Sequence, residues 1–247
     1  MKAFVISLSK VPSSIDTATT VVHTLLGYGF DAVLFEGTYG NDAVEMFKSD
    51  GRTIAKYGIK SKKTPIEIYH QQNPGAEVPP GTTFVTEREA VHNGNKMMRA
   101  GVIGCFYSHY RLWKKCVELN ESIFIFEDDV IFERNYIPVR WDDILLVCTG
   151  KAAYKHDFYK ELLYSPAGMP SAIPLRNTSM PGAVGYGITP SAARKLVEAY
   201  AVEFLPADNA INSHVVKLQC HNYLMGRAAL AEDGKVSLTA SKYWNKK

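Results

Sequence analysis

Two rhythms of apolar residues alternate along the first fifty positions. KAFVISL is β-branched and apolar, and SSIDTATTVVHTLLGYGF follows with Ser and Asp at its front, apolar positions at helical spacing, and Gly27 and Gly29 at its end. That order predicts a strand and then a helix. DAVLFEG predicts a second short strand and NDAVEMFKSDG a second helix, with Asn41 or Asp42 available as its cap. Strand-helix alternation implies an α/β fold with a parallel sheet, the usual start of a nucleotide-binding domain. Neither G-x-G-x-x-G nor G-x-x-x-x-G-K-[ST] occurs, so the dinucleotide and phosphate-loop readings lose their main support.

Residues 52 to 98 break the pattern. Pro65, Pro74, Pro79 and Pro80 interrupt them and their apolar periodicity is poor, which predicts a long excursion acting as a lid or binding segment. Periodicity returns in RAGVIGCFYSHYRLWKKCVEL, helical in its second part, where Phe106, Tyr110, Trp113 and Val117 form one apolar stripe. Cys105, His109, Leu112, Cys116 and Leu119 form the stripe beside it, so this helix is expected to be mostly buried. SIFIFEDDVIF and WDDILLVCTG read as strands, and 151 to 181 as a Pro/Gly-punctuated loop or short helix. GAVGYGIT is a glycine-rich strand leading into TPSAARKLVEAY, with Thr189 as N-cap and Pro190 as first helical residue. PADNAINSHVVKL predicts a short helix and CHNYLMGRAALA a late strand before a polar tail. No Gly/Ser/Pro-rich linker divides the chain, so residues 1 to 247 are expected to form one domain with a mainly parallel mixed sheet flanked by helices.

Composition narrows the class. The 247 residues are 46% hydrophobic and 21% charged, which excludes disorder, collagen and coiled coil. Four widely spaced cysteines with no C-x-x-C pair indicate buried, reduced thiols. The formal charge of +3 is mild for a dedicated nucleic-acid domain, but it hides a cluster. Lys48, Arg52, Lys56, Lys60, Lys62 and Lys63 stand against Asp50 alone, a solvated face or an anion-binding one. The N-terminal apolar run is too short for a signal peptide or a membrane span, and a cytoplasmic protein is expected.

Chemistry concentrates at Glu127-Asp128-Asp129. Three acids ending an apolar strand carry a large like-charge and desolvation cost unless a cation offsets it. Carboxylates favour Mg²⁺, Mn²⁺ or Ca²⁺. On an extended strand end Glu127 and Asp129 project to one side, where they can share a metal, and Asp128 to the other, facing a ribose or a structural partner. A solvated acidic turn is the plain alternative. Ser108 beside His109 lacks the elbow motif and orienting acid of a hydrolase triad. Cys105 and His109 are spaced i, i+4 for zinc, but two further ligands at suitable spacing are missing, so His109 is expected to be buried and hydrogen-bonded at the base of a cleft. Asp208 is either an N-cap or a carboxylate able to deprotonate an acceptor hydroxyl. His214 and His221 are either surface residues or late metal or phosphate contacts.

AGVIGCFYSHYRLWKKCVELNESIFIFEDDVIF, residues 100 to 132, resembles the signature of glycosyltransferase family 25: G-x-x-G-C-x-x-S-H before a helix, then an apolar strand ending in E-D-D. GAVGYGITPSAARKLVEAY, PADNAIN and the opening FVISLSK are similar to that family's other conserved stretches. The resemblance implies a GT-A fold, a nucleotide-sugar donor such as a UDP-sugar, and Mn²⁺ or Mg²⁺ on the acidic motif, with Glu127 and Asp129 on the metal and Asp128 at the donor. It further implies that Gly101, Gly104, Ser108 and His109 shape the donor pocket, and that Asp208 is the general base of an inverting in-line displacement. Where relatives carry Arg after the first strand, SLSKVPSS offers Lys10.

The acceptors implied are lipopolysaccharide or lipooligosaccharide, collagen hydroxylysine, or, as in bacteriophage relatives, hydroxymethylated cytosine in DNA. Collagen is disfavoured by the expected absence of a secretory signal. The basic cluster, Arg111, Lys114, Lys115 and the terminal Lys242, Tyr243, Trp244, Lys246 and Lys247 suit a phosphate backbone with aromatic contacts, or else an anionic membrane surface beside a lipid-linked acceptor. No strongly amphipathic anchoring helix is evident, which favours DNA over lipooligosaccharide. Two other classes remain: an inactive GT-A binding module, and a metal-dependent hydrolase releasing free sugar.

Overall fold

The computed structural model describes residues 1–50, 53–54, 100–151, 156–175 and 179–230. Nearly all of the 52–98 excursion, most of the basic cluster and the basic-aromatic tail lie outside these residues. The chain opens with β1 (Lys2–Ser7), α1 (Pro12–Gly27), β2 (Asp31–Glu36) and α2 (Gly40–Ser49). β3 (Thr53–Ile54) is followed by the long α3 (Ala100–Leu119), β4 (Ile123–Phe126), β5 (Val130–Phe132) and β6 (Ile144–Thr149). The remainder comprises α4 (Asp157–Tyr164), β7 (Ala172–Pro174), β8 (Gly185–Ile188), α5 (Pro190–Ala199), β9 (Glu203–Phe204), α6 (Ala207–Ala210), β10 (Leu218–His221) and β11 (Gly226–Ala228).

The main sheet runs β2-β1-β4-β8-β6-β10-β7, with β11 pairing β6 and β5. β1 is parallel to β2 and β4, and β6 is parallel to β10 and β11. β8 lies antiparallel between β4 and β6, so the sheet is mixed, as expected. β3 and β9 form a small separate parallel pair. The crossover from β1 to β2 runs through α1 on one face of the sheet, and α2 and α3 pack together on the other. Order therefore reverses at β1, and a crevice opens at the carboxyl ends of β1 and β4, where α/β sheets bind ligands.

Strand alternation splits the core in two. From β4, Ile123 and Ile125 join Phe106, Leu112 and Trp113 of α3 and Tyr186 of β8. Phe124 and Phe126 join Ala18, Val21 and Leu25 of α1 and Phe30. All four residues of β4 are buried. α1 starts with Pro12 in its first turn and no side-chain cap. It ends through Gly29 at φ 81°, with the Phe30 N–H donating to Leu25 O at 3.0 Å, which drops Phe30 into the α1-side core.

Thr189 caps α5 as expected, accepting from Ala192 N at 3.2 Å, with Pro190 next. Four expectations need correction. α3 is helical from Ala100, not only in its second half, and Gly104 within it serves close packing against the β2–α2 turn. α2 begins at Gly40, so Asn41 and Asp42 lie inside it rather than capping it. The helix expected over PADNAINSHVVKL stops at Ala210, where the Asn212 amide donates to Asn209 O and Ala210 O and diverts the chain. CHNYLMGRAALA is two strands, parted by a turn in which His221 Nδ1 accepts from Tyr223 N.

Close packing in the sheet sets a testable limit. A Cβ on Gly185 would sit 2.9 Å from Cys148 Cβ and Sγ and from Phe126 Cδ1. Gly185→Ala is expected to cost about 1–3 kcal/mol, lowering the melting temperature by about 2–4 °C per kcal/mol at this chain length. An unchanged thermal melt would contradict this packing.

Candidate active site

β4 runs straight into the three acids, and its alternation assigns them to opposite faces. Glu127 follows Ile125 toward α3, and Asp128 follows Phe126 toward α1. The acids border a cleft of about 570 Å³, open to solvent, at the carboxyl ends of β1 and β4. Ile6 and Leu8 flank it from β1, Ser14 from α1, Thr38 and Gly40 from the β2–α2 turn, and Gly101, Gly104, Cys105, Ser108 and His109 from α3.

The glycines and Ser108 explain how α3 reaches the cleft. A Cβ on Gly104 would lie 2.6 Å from Thr38 O, so only glycine lets the helix press against the β2–α2 turn. Four residues on, Ser108 Oγ donates to Gly104 O at 2.7 Å and accepts from Thr38 N at 2.8 Å. Together they staple helix to turn.

One turn of helix apart, Cys105 and His109 both reach Glu127. The Cys105 thiol donates to Glu127 Oε1 at 3.5 Å, and His109 Nε2 lies 3.3 Å from the same oxygen. Behind His109, Nδ1 contacts the Tyr186 hydroxyl at 2.9 Å, which accepts from Trp113 Nε1 at 2.9 Å. The Trp113 donor leaves the Tyr186 hydrogen to point at Nδ1, so Nε2 carries the imidazole proton and donates it to Glu127. Trp113, Tyr186 and His109 are all fully buried, and the chain of donors satisfies each of them. Burial pushes Glu127 up, yet His109, Cys105 and Lys151 together hold it below the usual carboxylate range.

Asp128 accepts from Ser14 Oγ, and Ser14 Oγ in turn accepts from Leu8 N at 3.0 Å, joining the start of α1 to the acids. Asp129 is the exposed problem of the set in energetic terms, although its side chain is only 16% accessible. Its Oδ2 faces Lys151 Nζ at 3.6 Å, and its buried Oδ1 has no hydrogen-bond partner among the described residues. Burial, Glu127 and Asp128 raise it to about 7. A buried carboxylate oxygen without a donor, beside two further carboxylates, is the environment a hard, oxygen-seeking cation suits. Asp208, half-buried in α6, lies near enough that burial and Glu127 raise it to about 6.

Other expected contacts fall elsewhere. Asp208 is not an N-cap, since Pro206 holds that position. Lys10 pairs with Asp42 at 3.0 Å and lies over the Tyr39 ring, away from the cleft lining. His221 is fully buried, with Nε2 donating to Ile137 O at 2.7 Å, which makes it structural rather than a metal or phosphate contact. His214 is exposed outside the cleft. Sequence reasoning missed Ser14, Thr38, Lys151 and the Tyr186–Trp113 pair, and took Cys105 and His109 to lack a third metal ligand. Glu127 brings one candidate ligand oxygen beside them, 18 residues from His109 and on another element.

A sequence profile described as "Glycosyltransferase family 25 (LPS biosynthesis protein)" matches residues 1–211. The chain belongs to glycosyltransferase family 25. Lipooligosaccharide biosynthesis protein lex-1 of Haemophilus influenzae is 29% identical over 129 residues, spanning 47% of this chain and 42% of that protein. A glycosyltransferase 25 family member of Aedes aegypti is 51% identical over 37 residues, 15% of this chain and 6% of its own length. One from Anopheles gambiae is 49% identical over 37 residues, again 15% and 6%. The matched segments thus cover less than half of these relatives. In this family 25 chain, the two motifs that carry the resemblance are the two walls of one cleft.

The raised Asp129 makes the metal-free protein sensitive to pH. A carboxyl whose folded value is about 7 contributes stability that is fully present below its unfolded value near 4 and is lost as pH rises through 7. Asp208 acts in the same direction up to about 6, while the depressed Glu127 opposes both only in the acid range. The urea midpoint of metal-free protein is therefore expected to fall between pH 4.5 and 7.5, by a few kcal/mol at most in free-energy terms. Asp129→Asn should remove most of that fall; an equal slope in the variant would refute the assignment.

Proposed function

We propose that the protein transfers a sugar from a nucleotide-sugar donor, a UDP-sugar, to a hydroxyl of a lipooligosaccharide-type acceptor, using Mn²⁺ or Mg²⁺. The observation that carries this reading is the buried Asp129 Oδ1, without a hydrogen-bond partner among the described residues, in a group of three carboxylates at the carboxyl end of β4, in a chain of family 25. Asp129 and Glu127, with Asp128 beside them, are the residues that would hold the cation. Bound there, the cation would offset the negative charge of the donor's diphosphate and of the leaving nucleotide.

The protein's own groups divide the remaining work. Ile6 and Leu8 give the donor an apolar wall, and the close approach of α3 at Gly104 leaves backbone of the β2–α2 turn lining the opposite side. Asp128, anchored by Ser14, faces the α1 side, where it can meet a ribose. Lys151 supplies a positive charge at the cleft rim beside Asp129. Asp208, raised to about 6, is ionised at neutral pH yet basic enough to take the acceptor hydroxyl's proton on its carboxylate. Attack opposite the leaving diphosphate would invert the anomeric centre.

The lipooligosaccharide acceptor is supported by the relative that bears that name, lex-1. Of the basic residues behind the hydroxymethylated-DNA reading, Lys48 in α2 and Arg111, Lys114 and Lys115 in α3 lie in the described parts. Arg111 donates to Glu36 O at 3.0 Å and stacks on Phe35, and Lys115 pairs with Glu118. Incubation with UDP-sugars and Mn²⁺, with lipooligosaccharide and hydroxymethylcytosine DNA in parallel, is expected to add mass to the saccharide. Mass added to DNA would reverse the acceptor, and donor binding with no product would indicate a binding module. Asp208→Asn is expected to lower kcat by about 10²–10⁴ and remove the acid limb near pH 6, with donor affinity retained. A variant that kept its turnover would exclude Asp208 as base.

A further inference from the structure

The floor of the cleft carries a second donor set of different chemistry, and the transfer reaction makes no use of its sulfur. Cys105 Sγ, His109 Nε2 and a Glu127 carboxylate oxygen all lie within 4.8 Å of one another. Two edges of this triangle, 3.5 Å from sulfur and 3.3 Å from nitrogen to Glu127 Oε1, approach the roughly 3.6 Å that separates ligands around a tetrahedral zinc ion. We propose that Cys105, His109 and Glu127 form a zinc-selective site, separate in donor chemistry from the carboxylate set, with its fourth position open to the cleft.

Three features support it. Cys105 and His109 stand i, i+4 on a buried, 20-residue helix, so their spacing is held by backbone hydrogen bonds rather than by a loop. Tyr186 and Trp113 stand behind His109 as the outer partners that orient a metal-binding imidazole. All three ligands line the cleft, which leaves the ion a path in and a place for water or substrate. Thiolate and imidazole select Zn²⁺ over Mg²⁺ or Mn²⁺, whereas the neighbouring oxygens do the reverse.

Binding balances simply. The Cys105 S–H bond breaks, its proton leaves to solvent, and sulfur, nitrogen and carboxylate bonds to zinc form. The His109 proton moves from Nε2 to Nδ1, and the Tyr186 hydroxyl gives up its donation to Nδ1 and rotates to accept that proton beside the Trp113 N–H, so one proton is released for each ion bound. Because Glu127 belongs to both donor sets, zinc would compete with the hard cation for the cleft. The site itself rests on no assumption about sugar transfer.

The test uses the full-length, metal-free protein titrated with Zn²⁺, and with Co²⁺ as a spectroscopic stand-in. One equivalent of Co²⁺ should produce a sulfur-to-metal charge-transfer band, and one equivalent of Zn²⁺ should remove it and release one proton. Cys105→Ser and Cys105→Ala should abolish the band and weaken Zn²⁺ by more than about a hundredfold, exceeding the effect of losing an outer partner. Tyr186→Phe should weaken Zn²⁺ by about tenfold while keeping the band. Co²⁺ bound without the band in the wild type, or Zn²⁺ affinity indifferent to Cys105, would place the ion on the carboxylates and overturn the proposal. Neither readout needs donor, acceptor or turnover, so failure here is distinguishable from failure of the transferase reading.

Discussion

Like charge at the end of a buried strand is the constraint to which the rest of the structure responds. β4 is enclosed on both faces and paired on both edges, so its alternation cannot slip without exchanging two packed cores. The acids that follow inherit that register and cannot all turn to water. Each draws a partner from a different direction: Ser14 from α1, His109 and Cys105 from α3, Lys151 from beyond β6. What the fold leaves over is one oxygen of Asp129.

α3 is the second half of the arrangement. Its aromatic stripe provides burial, with Phe106 packed edge-on against Phe204 and Trp113, while the small residues on its cleft side permit contact. The same helix therefore anchors the core through Trp113 and addresses Glu127 through His109. Removing a member of the Trp113–Tyr186–His109 chain would strand a donor or acceptor in the interior, at a cost of about 1–3 kcal/mol for each group left unpaired.

The legible parts of the sequence were those where local pattern and tertiary role agree. The strand-helix alternation, the Thr189-Pro190 helix start and the acids ending SIFIFEDD all carry their meaning within a few residues. Gly104 misled because local rules treat glycine as a helix breaker, whereas here the missing Cβ is what a neighbouring backbone requires. Asn212 misled in the opposite sense, since its capture of two carbonyls ends a helix that periodicity would continue. Ser14 carried no signal at all: its partner Asp128 lies 114 residues away, and a serine early in a helix has an adequate local explanation. Tyr186 was likewise only one aromatic in a glycine-rich strand until β8 was seen to lie beside β4.

The three acids are not equivalent. Glu127 is tied to α3 through one oxygen, Oε1, and kept ionised by its neighbours. Asp128 is bound to the α1 side. Asp129 combines burial, an adjacent like charge and an unfilled oxygen, and is the residue with most to gain from a cation. The field that raises Asp129 also raises Asp208, because Glu127 lies near both. A cation held by Asp129 and Glu127 would offset the charge of Glu127 that raises Asp208 and lower its affinity for protons. The carboxylate proposed here as the base would then stay ionised over a wider range of pH if the cleft held a cation, so the state of the proposed donor side would be felt at Asp208 through electrostatics alone.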